Sequence, residues 1–142
     1  MRIYEANIVT EGIVNTFKKL IPQLSPNASV PSKSELEDII NSNNTIIILA
    51  EEDGIVGVLT LVFNKIPSGN KVWIEDVVVD NAARGKGVGE ELTRFAIKYV
   101  ANKGIKQINL TSSPERIVAN KIYQKLGFIK RGTNVYRLTI EE

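Results

Sequence analysis

Apolar residues recur along the chain at two spacings. Ile13, Val14, Phe17, Leu20 and Ile21 follow the 3.6-residue period of a helix face. Thr10 stands where a cap is needed, and Pro22 predicts the end of this helix just before it. After the loop SPNASVP, Ser34 and Glu37 have capping-box spacing and open a short second helix carrying Leu36, Ile39 and Ile40. Strand-like stretches fill most of the rest. IYEANI near the start is a first strand, and TIIILAEEDGIVGVLTLVF is two strands around an Asp53-Gly54 turn. KVWIEDVVVD is the next strand, followed by a helix from Glu90 to about Asn102 that Lys103-Gly104 ends. QINLTS is a further strand, and Ser113-Pro114 begin a last helix that runs to Gly127. FIKR and NVYRLTI form a closing strand pair. The order is strand, two helices, three strands, helix, strand, helix, two strands. It predicts a mixed α/β (α+β) fold in one domain, residues 1–142.

Composition narrows the chemistry. The chain has 142 residues, 43% hydrophobic and 24% charged, the profile of a globular domain with a full core. It has no cysteine, so disulfides, thiolate metal sites and a cysteine nucleophile are excluded. It has no histidine, which removes the commonest general base and the commonest metal ligand together, and no metal site is expected. Acid–base work falls to carboxylates, tyrosine, lysine or water. The net charge of +2 is spread along the chain, without the basic stripe that holds a nucleic-acid backbone, so no nucleic-acid partner is expected. MRIYEANIVTEG lacks the pattern of a secretory leader, and no apolar run approaches membrane-spanning length. These features predict a cytoplasmic protein with no membrane partner.

The most specific local signal is ARGKGVGEEL, residues 83–92, with Gly85, Gly87 and Gly89 at every second position. It matches neither the dinucleotide fingerprint G-x-G-x-x-G nor the phosphate loop G-x-x-x-x-G-K-[ST]. It lies where the strand ending in VVVD turns into a helix, a place where backbone N–H groups and the helix dipole receive an anion.

Arg84-Gly85-Lys86-Gly87-Val88-Gly89 fits R/Q-x-x-G-x-G/A, and Tyr123-Gln124-Lys125-Leu126-Gly127-Phe128 has the frame Y-x-x-x-G-F. Together these resemble the GNAT superfamily of acetyl-CoA-dependent N-acetyltransferases. The element order is similar along essentially the whole chain, and the motifs lie within residues 73–128. The resemblance implies a GNAT-like acyl-CoA N-acyltransferase fold, a central mostly antiparallel mixed sheet flanked by helices. It implies acetyl-CoA as cosubstrate, with Arg84 through Gly89 around its pyrophosphate.

It further implies that backbone groups of Val77, Val78 and Val79 pair with the pantetheine arm, and that Tyr123 protonates the leaving thiolate. A phenol suits that task because it is protonated at neutral pH. For the base, Glu75 and Asp76 are the nearest carboxylates, and strand alternation sends them to opposite faces. A water chain is the third choice. WIEDVVVD locally resembles the Glu-Asp pair of amino-sugar phosphate acetyltransferases of the superfamily. Where many members carry a coenzyme-contacting asparagine, seven residues before the tyrosine, this chain has Arg116; either Asn120, one turn before Tyr123, or Arg116 takes that place. Thr111 stands where some ribosomal-protein acetyltransferases place a glutamate.

The sequence reading is therefore an N-acetyltransferase acting on a primary amine of a small molecule or peptide, by direct attack in a ternary complex. The alternative is a non-catalytic acyl-CoA-binding module, against which Tyr123 speaks. The acceptor pocket is implied to lie in residues 10–44 and the last strand pair, whose mixed charges select no substrate. Dimerisation is common in the family, and an apolar last strand suits a homodimer.

Overall fold

The computed structural model describes residues Met1–Glu141. Four antiparallel strands, β1 (Arg2–Glu5), β2 (Thr45–Glu51), β3 (Ile55–Ile66) and β4 (Gly69–Val79), form one sheet in the order β1-β2-β3-β4. Helices α1 (Glu11–Leu24) and α2 (Lys33–Asn41) cover one face, and α3 (Val88–Asn102) covers the other. A fourth helix, α4 (Ile117–Lys125), lies near the C-terminus.

The three-layer arrangement follows from strands that are apolar on both sides. In β2, Ile47 and Leu49 pack with Ile13, Phe17, Leu20 and Leu36, while Ile48 and Ala50 pack with Val88, Leu92 and Ala96. Continuous runs such as TIIILA are what a strand buried on both faces requires. The β2–β3 turn forms at Asp53-Gly54, both with positive φ, as the sequence predicts. Gly57 on β3 marks where α3 presses closest, since a Cβ there would stand 2.9 Å from Val88 and 3.1 Å from Leu92.

Several boundaries differ from the sequence reading. Helix α1 does not stop before Pro22 but runs through it to Leu24. Pro22 is exposed in the last turn, where the loss of one backbone bond is tolerated, and Leu24 still gains packing against the core. The capping box of α2 uses Ser32 and Glu35, two residues earlier than Ser34 and Glu37, with both reciprocal bonds made at 3.0 and 3.1 Å. Helix α4 begins after a turn at Ser113–Arg116 rather than at Ser113-Pro114, with Arg116 as its N-cap.

The larger differences are near the C-terminus. QINLTS forms one parallel bridge, Asn109 against Trp73, instead of a strand. FIKR and NVYRLTI are not strands, and residues 129–141 are exposed throughout. Beyond the bridge β4 carries a bulge: Thr60 faces Glu75 and Val58 faces Val78, so Asp76 and Val77 share one partner on β3.

Candidate active site

The site is built where β4 ends. Up to Ile74, β4 is held on its outer edge by Asn109, through Ile74 N–H to the Asn109 carbonyl (2.8 Å) and Asn109 N–H to the Val72 carbonyl (2.9 Å). Beyond that point, among the described residues, no backbone partner joins Val77, Val78 or Val79 from this side. An extended ligand arm lying along this edge of β4 would find no backbone partner in its place.

Asp76 sits at the bulge with φ 47°, a left-handed conformation that non-glycine residues rarely adopt. The bulge also breaks the alternation on which the sequence reading separated the two carboxylates. Glu75 and Asp76 interact: partial desolvation first, and then the Asp76 charge, raise the Glu75 carboxyl above its ordinary 4.5. After the bulge the faces are exchanged, so Val78 joins the α1 side and Val77 and Val79 the α3 side.

Asp80 follows, 6% exposed, and is bound by Lys19 of α1 at 2.7 Å, by Gln23 at 3.4 Å and by the Ala82 N–H at 3.3 Å. Gln23 also accepts from the Asn81 N–H at 2.8 Å. The Lys19 contact above all, then the Ala82 N–H, hold the Asp80 carboxyl below its ordinary 3.8. This cluster pins the strand end to α1 and sets the start of the glycine loop. Sequence reasoning missed it, because Lys19 and Asp80 lie far apart in the chain; an aspartate closing an apolar VVV run was the one available signal.

In the loop, Gly85 and Gly87 have φ 81° and 82°, with open space where a Cβ would stand. Gly87 is the N-cap of α3. The first closed backbone bond of the helix is Glu91 N–H to the Gly87 carbonyl, 3.0 Å, and no protein acceptor takes the N–H groups of Gly85 through Glu90 among the described residues. Consecutive free donors with a helix dipole behind them form an anion cradle. Arg84 and Lys86 are exposed beside it, and Arg84 Nε also donates to the Val79 carbonyl at 3.4 Å. Val88, the first residue of α3, is buried, and a Cβ on Gly89 would stand 3.8 Å from Val79. The residues present fit a diphosphate.

Helix α4 brings Tyr123 to the same region. Lys125 of α4 binds Glu90 in the first turn of α3 at 2.9 Å, and Arg94 binds the same carboxylate at 3.0 Å, so Glu90 joins the cradle helix to the tyrosine helix. Burial pushes the Tyr123 phenol above its ordinary 10, while the Arg116 guanidinium pulls it partly back. Asn120 donates to the Ser113 carbonyl at 2.9 Å, which fixes the turn before α4. A cleft of about 630 Å³, lined by residues that include Arg2, Tyr4, Gly12, Thr16 and Ile55, contains none of these residues.

The sequence pattern that defines the acetyltransferase (GNAT) family matches residues 14–128. Glucosamine 6-phosphate N-acetyltransferase 1 of Oryza sativa subsp. japonica is 29% identical over 129 residues, 84% of this chain and 76% of that one. Among solved structures, the aminoglycoside acetyltransferase meta-AAC0020 from an uncultured soil metagenomic sample, in complex with sisomicin, superposes with a TM-score of 0.81 at 20% identity. That match covers 99% of this chain and 96% of the other. AAC(6')-Iy in complex with a bisubstrate analogue, CoA-S-monomethyl-acetylneamine, superposes with a TM-score of 0.76 at 24% identity, covering 98% of each. With the glycine cradle and the match over most of its length, the chain belongs to the acetyltransferase (GNAT) family and is an acetyl-CoA-dependent N-acetyltransferase.

Proposed function

We propose that the protein transfers the acetyl group of acetyl-CoA to a primary amine of a small, polar, polyhydroxylated acceptor by direct attack in a ternary complex. The observation that carries the reading is the set of free N–H groups from Gly85 to Glu90, in the loop that follows the end of β4, whose outer edge has no backbone partner beyond Ile74. A diphosphate on the former places the adjoining extended arm along the latter. The acceptor class is supported by relatives named for glucosamine 6-phosphate and for aminoglycosides, both amino sugars.

In this reading Arg84 and Lys86 add charge beside the diphosphate, and the outer edge of β4 at Val77 to Val79, which has no backbone partner, aligns the thioester. A backbone N–H there polarises the acetyl carbonyl, the oxyanion stabilisation that acyl transfer needs. Glu75, whose carboxyl lies above its ordinary value, takes the proton from the amine, and a raised carboxylate is the better matched base at neutral pH. Asp76 keeps that carboxyl raised. Tyr123, a phenol protonated at neutral pH and kept so by burial, delivers a proton to the departing sulfur, and Arg116 beside it favours the negative charge that develops there. Asn120 serves by fixing the turn that sets the start of α4. Direct transfer fits a chain without cysteine.

The test is release of coenzyme A thiol from acetyl-CoA with a panel of amines that includes glucosamine 6-phosphate, aminoglycosides and lysine peptides. Turnover on amino sugars supports the acceptor class. Turnover confined to peptide amines contradicts it.

A further inference from the structure

The backbone pairing between β4 and the 107–112 segment stops at a definable residue. Asn109 makes both bonds of a parallel ladder, donating to the Val72 carbonyl and accepting from the Ile74 N–H. In such a ladder every second residue makes the pair, so the next would be Thr111, donating to the Ile74 carbonyl and accepting from the Asp76 N–H. Neither bond is made among the described residues. The segment is therefore unbonded to β4 from Thr111 onward, level in register with Glu75 at the bulge.

Ser112 comes next. Thr111 and Ser113 are exposed and Ser112 between them is half-buried, the alternation of an extended segment. Ile108 and Leu110, on the same alternate positions, pack on the α3 side of the sheet with Val77, Val79 and Phe128, and Ser112 is the next of that series. Its hydroxyl is the one buried side-chain oxygen or nitrogen without a hydrogen-bond partner among the described residues. Thr93, buried in α3, shows the ordinary solution: its hydroxyl donates to the Gly89 carbonyl at 2.7 Å. A hydroxyl taken out of water and left unbonded costs the free protein stability.

We propose that the Ser112 hydroxyl is a coenzyme-binding group that bonds an amide of the acyl-thiol arm of acetyl-CoA. The inference rests on the reading in which that arm lies along the outer edge of β4. Ser112 belongs to the segment paired to this edge, just past its last bond, and its series lies on the side of the sheet where Phe128 packs against Tyr123. An amide is the fitting partner. Between its diphosphate and its sulfur the arm carries amides and no charge, and a hydroxyl both donates to a carbonyl and accepts from an N–H. The free protein leaves this hydroxyl unbonded and the coenzyme supplies the bond, so a cost to the free state becomes affinity for the arm.

The test is Ser112→Ala, read by melting temperature without ligand and by titration calorimetry with coenzyme A. Removing an unbonded hydroxyl is expected to leave the melting temperature unchanged or raise it. Coenzyme A binding is expected to weaken about two- to tenfold, the size of one lost neutral hydrogen bond. Ser113→Ala, at the exposed neighbour, is expected to change neither. A lower melting temperature in Ser112→Ala overturns the proposal, because the hydroxyl is then bonded within the free protein. Unchanged coenzyme affinity also overturns it, and a raised KM for the amine in that case gives the hydroxyl to the acceptor instead. An equal loss of affinity in Ser113→Ala overturns it as well. A wild-type protein that fails to bind coenzyme A removes the underlying reading together with the proposal, whereas wild-type binding that Ser112→Ala matches removes the proposal alone.

Discussion

The rings of Tyr123 and Phe128 meet edge to face, with centroids 5.7 Å apart and planes at 63°. The contact is fixed by how α4 ends. Phe128 N–H donates to the Tyr123 carbonyl at 2.9 Å and Gly127 N–H to the Gln124 carbonyl at 3.1 Å, while Gly127 takes φ 99°. This is a Schellman cap, in which the residue after the glycine packs back on the last turn. The frame Y-x-x-x-G-F is therefore a device for holding one tyrosine ring: glycine reverses the chain, and phenylalanine returns to brace the phenol.

Replacing Gly127 by alanine puts a Cβ into a left-handed position, where open space surrounds it but the backbone resists. The expected loss is about 1–2 kcal/mol, read as a melting temperature lower by a few degrees. Phe128→Ala is expected to lower kcat by loosening the tyrosine ring, with coenzyme affinity little changed. Calorimetry and steady-state kinetics on the same preparations check both.

Gly89 offers the cleanest test of the cradle. It has ordinary helical backbone, and an added Cβ would stand 3.8 Å from Val79, an uncrowded contact. Gly89→Ala should therefore leave the melting temperature unchanged or raise it, since alanine is the better helix former. Coenzyme A affinity should fall, because the methyl group occupies space beside the free N–H groups. Titration calorimetry with coenzyme A decides; unchanged affinity in the folded variant removes the diphosphate from this loop.

Glu75 links function to stability with an unusual sign. Its folded pKa is raised, so its favourable contribution to folding is present below its unfolded value, ordinarily 4.5, and is lost as pH rises through the folded value. Glu75→Gln is expected to preserve or raise the melting temperature at pH 7 while lowering turnover, more at pH 7 than at pH 9, where more of the amine is already deprotonated. Superimposable pH–rate profiles for wild type and variant would pass the role to Asp76 or water.

Asp80 has the opposite sign. Its folded pKa is depressed by Lys19 first, so its contribution is present above the ordinary 3.8 and is lost as pH falls through the lower folded value. Lys19→Met should lower stability at neutral pH and flatten the loss of stability below about pH 4. Acid titrations followed by circular dichroism measure both.

Much of this was legible in the chain. Thr10 caps α1, Asp53-Gly54 turns β2 into β3, and the glycines of ARGKGVGEEL lie at the strand–helix junction where their spacing places them. These features are local, and a short window of sequence carries them. The bulge at Asp76 was not legible, because nothing in WIEDVVVD separates a regular strand from one with an extra residue until β3 supplies the register. Nor was the fate of NVYRLTI. Its alternation predicts a strand, but a strand also needs an edge to pair with, and the structure pairs none of residues 134–140. The Lys19–Asp80 pair escaped notice for the related reason that only the fold brings α1 over the end of β4.

The central claim is that Tyr123 supplies the proton to the departing thiolate while the glycine cradle and β4 hold the donor. The most direct measurement is coenzyme A thiol release by wild type and by Tyr123→Phe, side by side, with the best amine from the panel. Phenylalanine keeps the ring and its contact with Phe128 and removes one oxygen. A fall in kcat of about ten- to a thousandfold is expected, around the usual range for a positioned acid, with melting temperature and coenzyme affinity nearly unchanged. Wild-type turnover in the variant would contradict the account.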